Sequence, residues 1–169
     1  MRNLPTLGRL KQDPSIPEWW NSKPIRVPFC SGKAFPFCVR AEAERDVYPP
    51  DVHEAVRTFL NLTDAERLDA SDRVYRYYRE IASHVPEVDL GVTEPTRIWD
   101  HIRFTNVFVD RYDEADKAVY IRLVGECDWE QEHGFQMLFR NGSTISLVGE
   151  HEDGSFVEDD RNEGDEDDP

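Results

Sequence analysis

Gly134-Phe135-Gln136-Met137-Leu138-Phe139-Arg140-Asn141-Gly142-Ser143-Thr144-Ile145-Ser146-Leu147-Val148-Gly149 reads as two apolar strands joined at Asn141-Gly142. Asparagine and glycine both accept the positive φ angles of a two-residue hairpin turn, so the pair predicts a hairpin. Such a turn pairs Leu138 with Ile145 and Phe135 with Val148. The two pairs lie on opposite faces. This predicts a sheet covered on both sides, by helices on one and by the N-terminal arm or hairpin on the other. Upstream, 102–110 and 117–125 carry the same strand pattern around the charged turn Tyr112-Asp113-Glu114-Ala115-Asp116, completing a four-strand antiparallel meander over 102–149.

Earlier in the chain the period changes. After Pro49-Pro50-Asp51, the apolar residues Val52, Ala55, Val56, Phe59 and Leu60 follow helical spacing and predict an amphipathic helix. Thr63-Asp64-Ala65-Glu66 is a capping box that opens a second helix reaching about His84 before Pro86, with Leu68, Tyr75, Tyr78 and Ala82 along its inner face. A short helical turn is expected near Ile98-Trp99. Ile25 to Arg40 predicts a hairpin around Ser31-Gly32-Lys33, pairing 29 with 35, 27 with 37 and 25 with 39, so that Ile25, Val27, Phe29, Phe35, Phe37 and Val39 share one apolar face. In that register Cys30 and Cys38 lie about 13 Å apart, beyond disulfide reach. Residues 1–24, with Pro5, Pro14, Pro17 and Pro24 around Trp19-Trp20, predict an irregular arm packed on the body. The expected fold class is α+β: an antiparallel β-sheet, made of an N-terminal hairpin plus a C-terminal four-strand meander, packed against two main helices. A single domain over 25–158 follows.

Charge is uneven along the chain. From Glu150 to Pro169 there are eleven Asp or Glu residues and one Arg, a net of −10 out of −15. With little apolar surface to offset its ordering entropy, 159–169 predicts a disordered acidic tail. The tail solvates the protein or attracts a basic partner. No run of apolar residues is long enough for a membrane span or a signal peptide, so membrane association is not expected and a cytoplasmic location is. Cys30, Cys38 and Cys127 lack metal-type spacing and suit a reducing compartment.

Several chemistries fail on spacing. His53-Glu54-Ala55-Val56-Arg57 starts like a zinc-protease helix, but Arg57 occupies the second ligand position. Asp128, Glu130 and Glu132 alternate like an EF-hand, yet Gly134 comes one position late and Phe139 stands where the chelating Glu belongs. No phosphate-binding glycine loop or nucleophile elbow occurs, and no cofactor is expected. Arg73-Val74-Tyr75-Arg76-Tyr77-Tyr78-Arg79 interleaves basic and aromatic residues as single-strand binders do. On a helix, however, Tyr75 and Tyr78 face inward, and a −15 chain repels phosphate; nucleic acid is not the expected partner.

Cys127-Asp128-Trp129-Glu130-Gln131-Glu132-His133-Gly134 holds the densest chemistry. If extended, it projects Asp128, Glu130 and Glu132 one way and Trp129 and His133 the other. Crowded carboxylates raise one another's pKa, and an adjacent imidazole can act as base or ligand. His151, with Glu150, Glu152 and Asp153, ends the partner strand near the same edge. Glu130, Glu132, His133 and His151 are thus metal-ligand candidates. The alternative is structural: Trp129 as a core plug, Gly134 granting an unusual backbone angle, the carboxylates solvated.

The chain resembles a family of uncharacterised bacterial domains with an early hairpin, a helix ending Phe-Leu-x-Leu (here Phe59-Leu60-Asn61-Leu62), the string C-x-W-E-x-E-H-G (Cys127 to Gly134), a D-G or N-G turn (Asn141-Gly142) and V-G-x-x-D-G-H (here Val148-Gly149 and Asp153-Gly154, with three residues between the pairs). It departs from that pattern at Ser155, where the resemblance implies His. The resemblance covers roughly 25–158. In style it is similar to small acidic cytosolic domains that serve as immunity or antitoxin-type binders. The expected function is therefore non-enzymatic binding of a basic protein partner through an acidic surface, with Trp129, Glu130, Glu132, His133 and Asp153 as candidate contacts. A metal-binding or metal-dependent hydrolase-like domain is the alternative, and a structural module of a larger assembly a third reading.

Overall fold

The computed structural model describes residues 1–42, 47–112 and 116–151. The acidic tail and Asp153 lie outside the described residues. Strands β1 (Arg2–Leu4), β2 (Gly8–Gln12), β3 (Trp19–Asn21), β6 (Phe37–Arg40), β7 (Ile102–Asp110), β8 (Tyr120–Cys127), β9 (Glu130–Arg140) and β10 (Thr144–Gly149) form one sheet in the order β1-β2-β3-β6-β7-β8-β9-β10. Every ladder in it is antiparallel except β6 with β7, which run parallel and pair Phe37 with Val107 and Val39 with Val109. Strands β4 (Ile25–Val27) and β5 (Lys33–Phe35) make a separate hairpin. The α+β class and the meander over 102–149 are as expected. No helix among the described residues is long and apolar enough to cross a membrane.

Helix α1 (Pro50–Asn61) buries Val52, Ala55, Val56 and Phe59, the face its spacing predicts. Phe59 meets Phe139 of β9 at 5.1 Å between ring centroids and Phe37 of β6 at 6.3 Å, edge-on in both cases. Such pairs add about 0.5–1.5 kcal/mol each beyond area burial. The capping box forms: the Thr63 amide donates to the Glu66 carboxylate at 2.6 Å, and the Ala65 amide donates to Thr63 Oγ1 at 3.2 Å.

The helix behind that box is two helices, α2 (Asp64–Asp69) and α3 (Ser71–His84). Asp69-Ala70-Ser71-Asp72 places side chains that compete for backbone bonds in mid-helix, and Ala70 turns at ψ −3°. The turn aims Val74, Tyr78 and Ala82 at the sheet and lets Ser71 Oγ accept the Trp99 indole N–H at 2.8 Å. Leu68 is left 46% exposed rather than on the inner face.

The predicted N-terminal hairpin forms in another register, Ile25 with Phe35 and Val27 with Lys33. Pro28-Phe29-Cys30 winds into a 3-10 turn closed by Ser31 N donating to Pro28 O, and Ser31 and Gly32 take φ +57° and +74°. Pro36, with no N–H to give, separates β5 from β6. Because the shift is even, the predicted apolar face survives: Val27, Phe29, Phe35, Phe37 and Val39 are all buried. The hairpin packs on the helical side, where Phe29 meets Phe59, Trp99 and Phe139. It does not cover the opposite face.

Nor is 1–24 an irregular arm. Pro5, Pro14 and Pro17 fall between β1, β2 and β3, which extend the sheet, and Pro24 follows β3; Trp20 lies under the Arg2 guanidinium at 5.1 Å, and Trp19 stands edge-on to Phe108. The second face of the sheet is an aromatic and charged layer. Arg122 sits 4.8 Å from the Phe108 ring and 5.4 Å from Tyr112, while Asp116 accepts from Arg140 and Tyr120.

The Asn-Gly turn uses three residues. Asn141 and Gly142 adopt φ +51° and +78°, Ser143 N donates to Arg140 O, and pairing runs Thr144 with Arg140 and Ile145 with Phe139 before a bulge at Ser146 leads to Leu147 with Leu138. The three cysteines are free, and burial pushes the Cys30 and Cys127 thiols up to about 12.

Candidate functional site

Strand β8 ends at Cys127 opposite Glu130, so Asp128 and Trp129 are the two residues of a tight turn and the segment is not extended through them. Their side chains diverge. Asp128 accepts from Arg103 and His101 Nδ1, both at 2.9 Å, and these partners, Arg103 first, hold its carboxyl below the usual range. Trp129 turns inward, 1% exposed, against Tyr78, Phe135 and Tyr77. It offers no surface to a partner.

Between the pairs Cys127↔Glu130 and Gly125↔Phe135, β8 has one residue, Glu126, and β9 has four, Gln131 to Gly134. This wide bulge is held by one carboxylate. Glu130 Oε1 accepts from the amides of Glu132 and His133 at 3.1 Å each, and lies 3.2 Å from His133 Nδ1. Gly134 closes the bulge at φ +73°, where a Cβ would stand 2.8 Å from Gly125 O. The Glu-x-Glu-His-Gly string is thus first a recipe for the bulge.

The bulge brings His133 against the end of β10. His133 O accepts from the His151 amide at 3.1 Å, and His133 Nδ1 lies 3.6 Å from Glu150 Oε2. Glu130, His133 and Glu150 form the cluster: their potential ligand atoms all lie within 4.8 Å of one another. Among the sequence candidates, Glu130 and His133 meet here. Glu132 contributes its amide while its side chain is exposed, and His151 joins through its backbone. Three carboxylates on one face do not occur, because the turn sends Asp128 to His101 and the bulge rotates Glu132 outward. Glu150 was not singled out from the sequence. The expected pairing of Phe135 with Val148 would set 150 opposite 133, but Val148 pairs with Met137, and it is the bulge that brings His133 to Glu150.

The Glu130 hydrogen bond, then the charges of Glu130, Glu150 and Glu132, raise the His133 pKa above its ordinary 6.5. A raised folded-state pKa stabilises the protonated form; the contribution is complete below the unfolded value and is lost as pH rises through the folded one. We expect the stability gap between the wild type and His133→Gln to be widest below the unfolded value and to close as pH rises through the raised folded-state value. Imidazole NMR titration should show the His133 midpoint falling in Glu130→Gln; an unchanged midpoint would remove the pairing.

Beside the cluster, a groove of about 750 Å³ runs between α3 and β10. Gln136 lines it, 0% exposed: its Nε2 donates to Glu150 O at 2.8 Å, and its Oε1 has no hydrogen-bond partner. Tyr77 also lines it, its hydroxyl near the Trp129 indole but outside hydrogen-bond geometry, and burial raises its pKa. Elsewhere on α3, the Tyr75 hydroxyl donates to Val92 O and the Tyr78 hydroxyl to Asp89.

No curated protein and no solved structure matches the chain. A family model described as a domain of unknown function, DUF6985, matches residues 6–156, and with most of its length so matched the chain belongs to that family.

Proposed function

We propose that the chain is a non-enzymatic binding protein of the bacterial cytosol, of immunity or antitoxin type, that engages a basic protein partner through the acidic end of its sheet. One observation carries the reading. Glu130 and Glu150 meet where β9 begins and β10 ends, with Glu132 exposed on the same bulge, and there the chain enters a stretch with eleven acids and one Arg from Glu150 to Pro169. Charge focused at one end steers a cationic partner and fixes its orientation more than it adds raw affinity. Fluorescent oligolysine should bind the full chain at low ionic strength and weaken steeply with salt, while oligoglutamate should not bind. Glu132→Lys, an exposed change, should weaken the complex several-fold; no binding at low salt would sink the reading.

A second reading rests on the Glu130, His133 and Glu150 geometry. One imidazole and two carboxylates suit a divalent transition ion such as zinc, with a position left open. Calorimetric titration with zinc should then show binding that tightens as pH rises, because His133 must lose its proton. No heat, together with a melting temperature indifferent to chelator, would eliminate the metal.

A further inference from the structure

We propose that the groove between α3 and β10 receives an extended lysine- or arginine-bearing segment of a partner polypeptide, added as a strand along the outer edge of β10. The inference rests on the basic-partner reading and gives it a place. Among the described residues β10 ends the sheet, so its outer edge has no strand beside it. An added strand supplies main-chain bonds for affinity and side-chain contacts for selectivity.

Three features limit what fits. Arg73 Nη1 donates to Ile145 O at 2.5 Å and Ser146 forms the bulge, so the start of the edge is blocked and pairing is confined to Leu147 and the residues after it. That length takes three or four residues, about 10–13 Å of strand. At the groove, Gln136 Oε1 is an acceptor without a donor, fully shielded and held in place by the bond from its own amide to Glu150 O. An acceptor left without a donor is destabilising, and a donor side chain carried into the groove by an incoming segment would satisfy it. The wall opposite β10 carries Asp69, Asp72 and Glu80, none of them ion-paired among the described residues. Arg76 is the one cation that wall adds beyond Arg73, which is already committed to Ile145 O. Cationic side chains alternating along a strand reach such a wall with every second residue.

The test uses the full chain and two short fluorescent peptides, one alternating lysine and valine, the other identical but N-methylated at valine so that its edge donors are gone while its charge remains. The first peptide should bind and shift the amide resonances of Leu147, Val148 and Gly149. The N-methylated peptide should bind about 10-fold more weakly, and Asp72→Lys with Glu80→Lys, both exposed, should weaken the first peptide to a similar degree. Equal binding of the two peptides, with no shifts along β10, would overturn the groove while leaving the basic-partner reading in place. Failure of both peptides and of oligolysine at low salt would overturn the two together. Sedimentation as a dimer with Leu147 to Gly149 protected before peptide is added would assign the edge to a second copy and overturn the proposal.

Discussion

Trp129→Ala is expected to lower unfolding stability by about 3–5 kcal/mol, the usual cost of removing a large buried aromatic and leaving a cavity. For a chain of this length that corresponds to roughly 6–20 °C in melting temperature. The side chain lies 5.5 Å from Tyr78, 5.9 Å from Phe135 and 6.0 Å from Tyr77 between ring centroids, so its loss unpacks α3 and β9 together. Trp129→Phe should recover a large part of the loss, because the indole N–H makes no hydrogen bond that phenylalanine would forfeit. Denaturant titration of the three proteins checks this. A loss under about 1 kcal/mol in the alanine variant would mean that the residue serves a partner instead of the core.

Gly142→Ala should be nearly as damaging, for a reason unrelated to burial of apolar area. The residue sits at φ +78°, and a Cβ there would stand 2.0 Å from Ala55 O of α1. The backbone angle alone costs an L-residue about 1 kcal/mol. The overlap is with backbone, so relief requires moving the hairpin away from α1, and the total is expected to exceed about 2 kcal/mol. Asparagine separates the two causes. It tolerates positive φ, as Asn141 does at +51° beside it, but carries the same Cβ. Gly142→Asn should therefore fail to rescue. Stability close to wild type in the asparagine variant would leave the angle, and not the approach to α1, as the reason for glycine.

That turn also shows where sequence reading reaches and where it stops. Asn141-Gly142 locates the hairpin because both residues carry the required backbone preference locally. Whether the loop holds two residues or three depends on how Ser143 and Ser146 bond across the strands and on α1 pressing from above, and neither is a local property. The same division holds at Ile25 to Arg40. The alternating apolar face was legible, but the departure of Phe37–Arg40 into the main sheet was not, since Pro36 only ends one strand and does not say where the next one goes. Helix α1 was read well because its period and its buried face coincide, whereas α2 looks like the first turn of α3 until tertiary packing bends the chain at Ala70. Strands β1 to β3 were missed because prolines in short connections mask pieces of only three to five residues.

At the candidate site, Trp129 to Gly134 stood out for its density of carboxylate and imidazole. The physical reason for the pattern is largely the bulge, with Glu130 collecting amides and Gly134 granting the angle. His133 faces Glu150 only because four residues of β9 oppose one of β8, a mismatch that no periodicity reveals.

The parallel ladder of β6 with β7 carries a kinetic consequence. Strands β7 to β10 follow one another through turns and can zip locally, each hairpin closing a short loop. Joining Val39 to Val109 instead closes a loop that contains α1, α2 and α3, and the entropy of that closure must be met before the contacts can reward it. Refolding should therefore begin in the C-terminal half, with the β1-β2-β3-β6 block docking late as a preassembled edge. The order of assembly is set by the two neighbouring strands that run the same way.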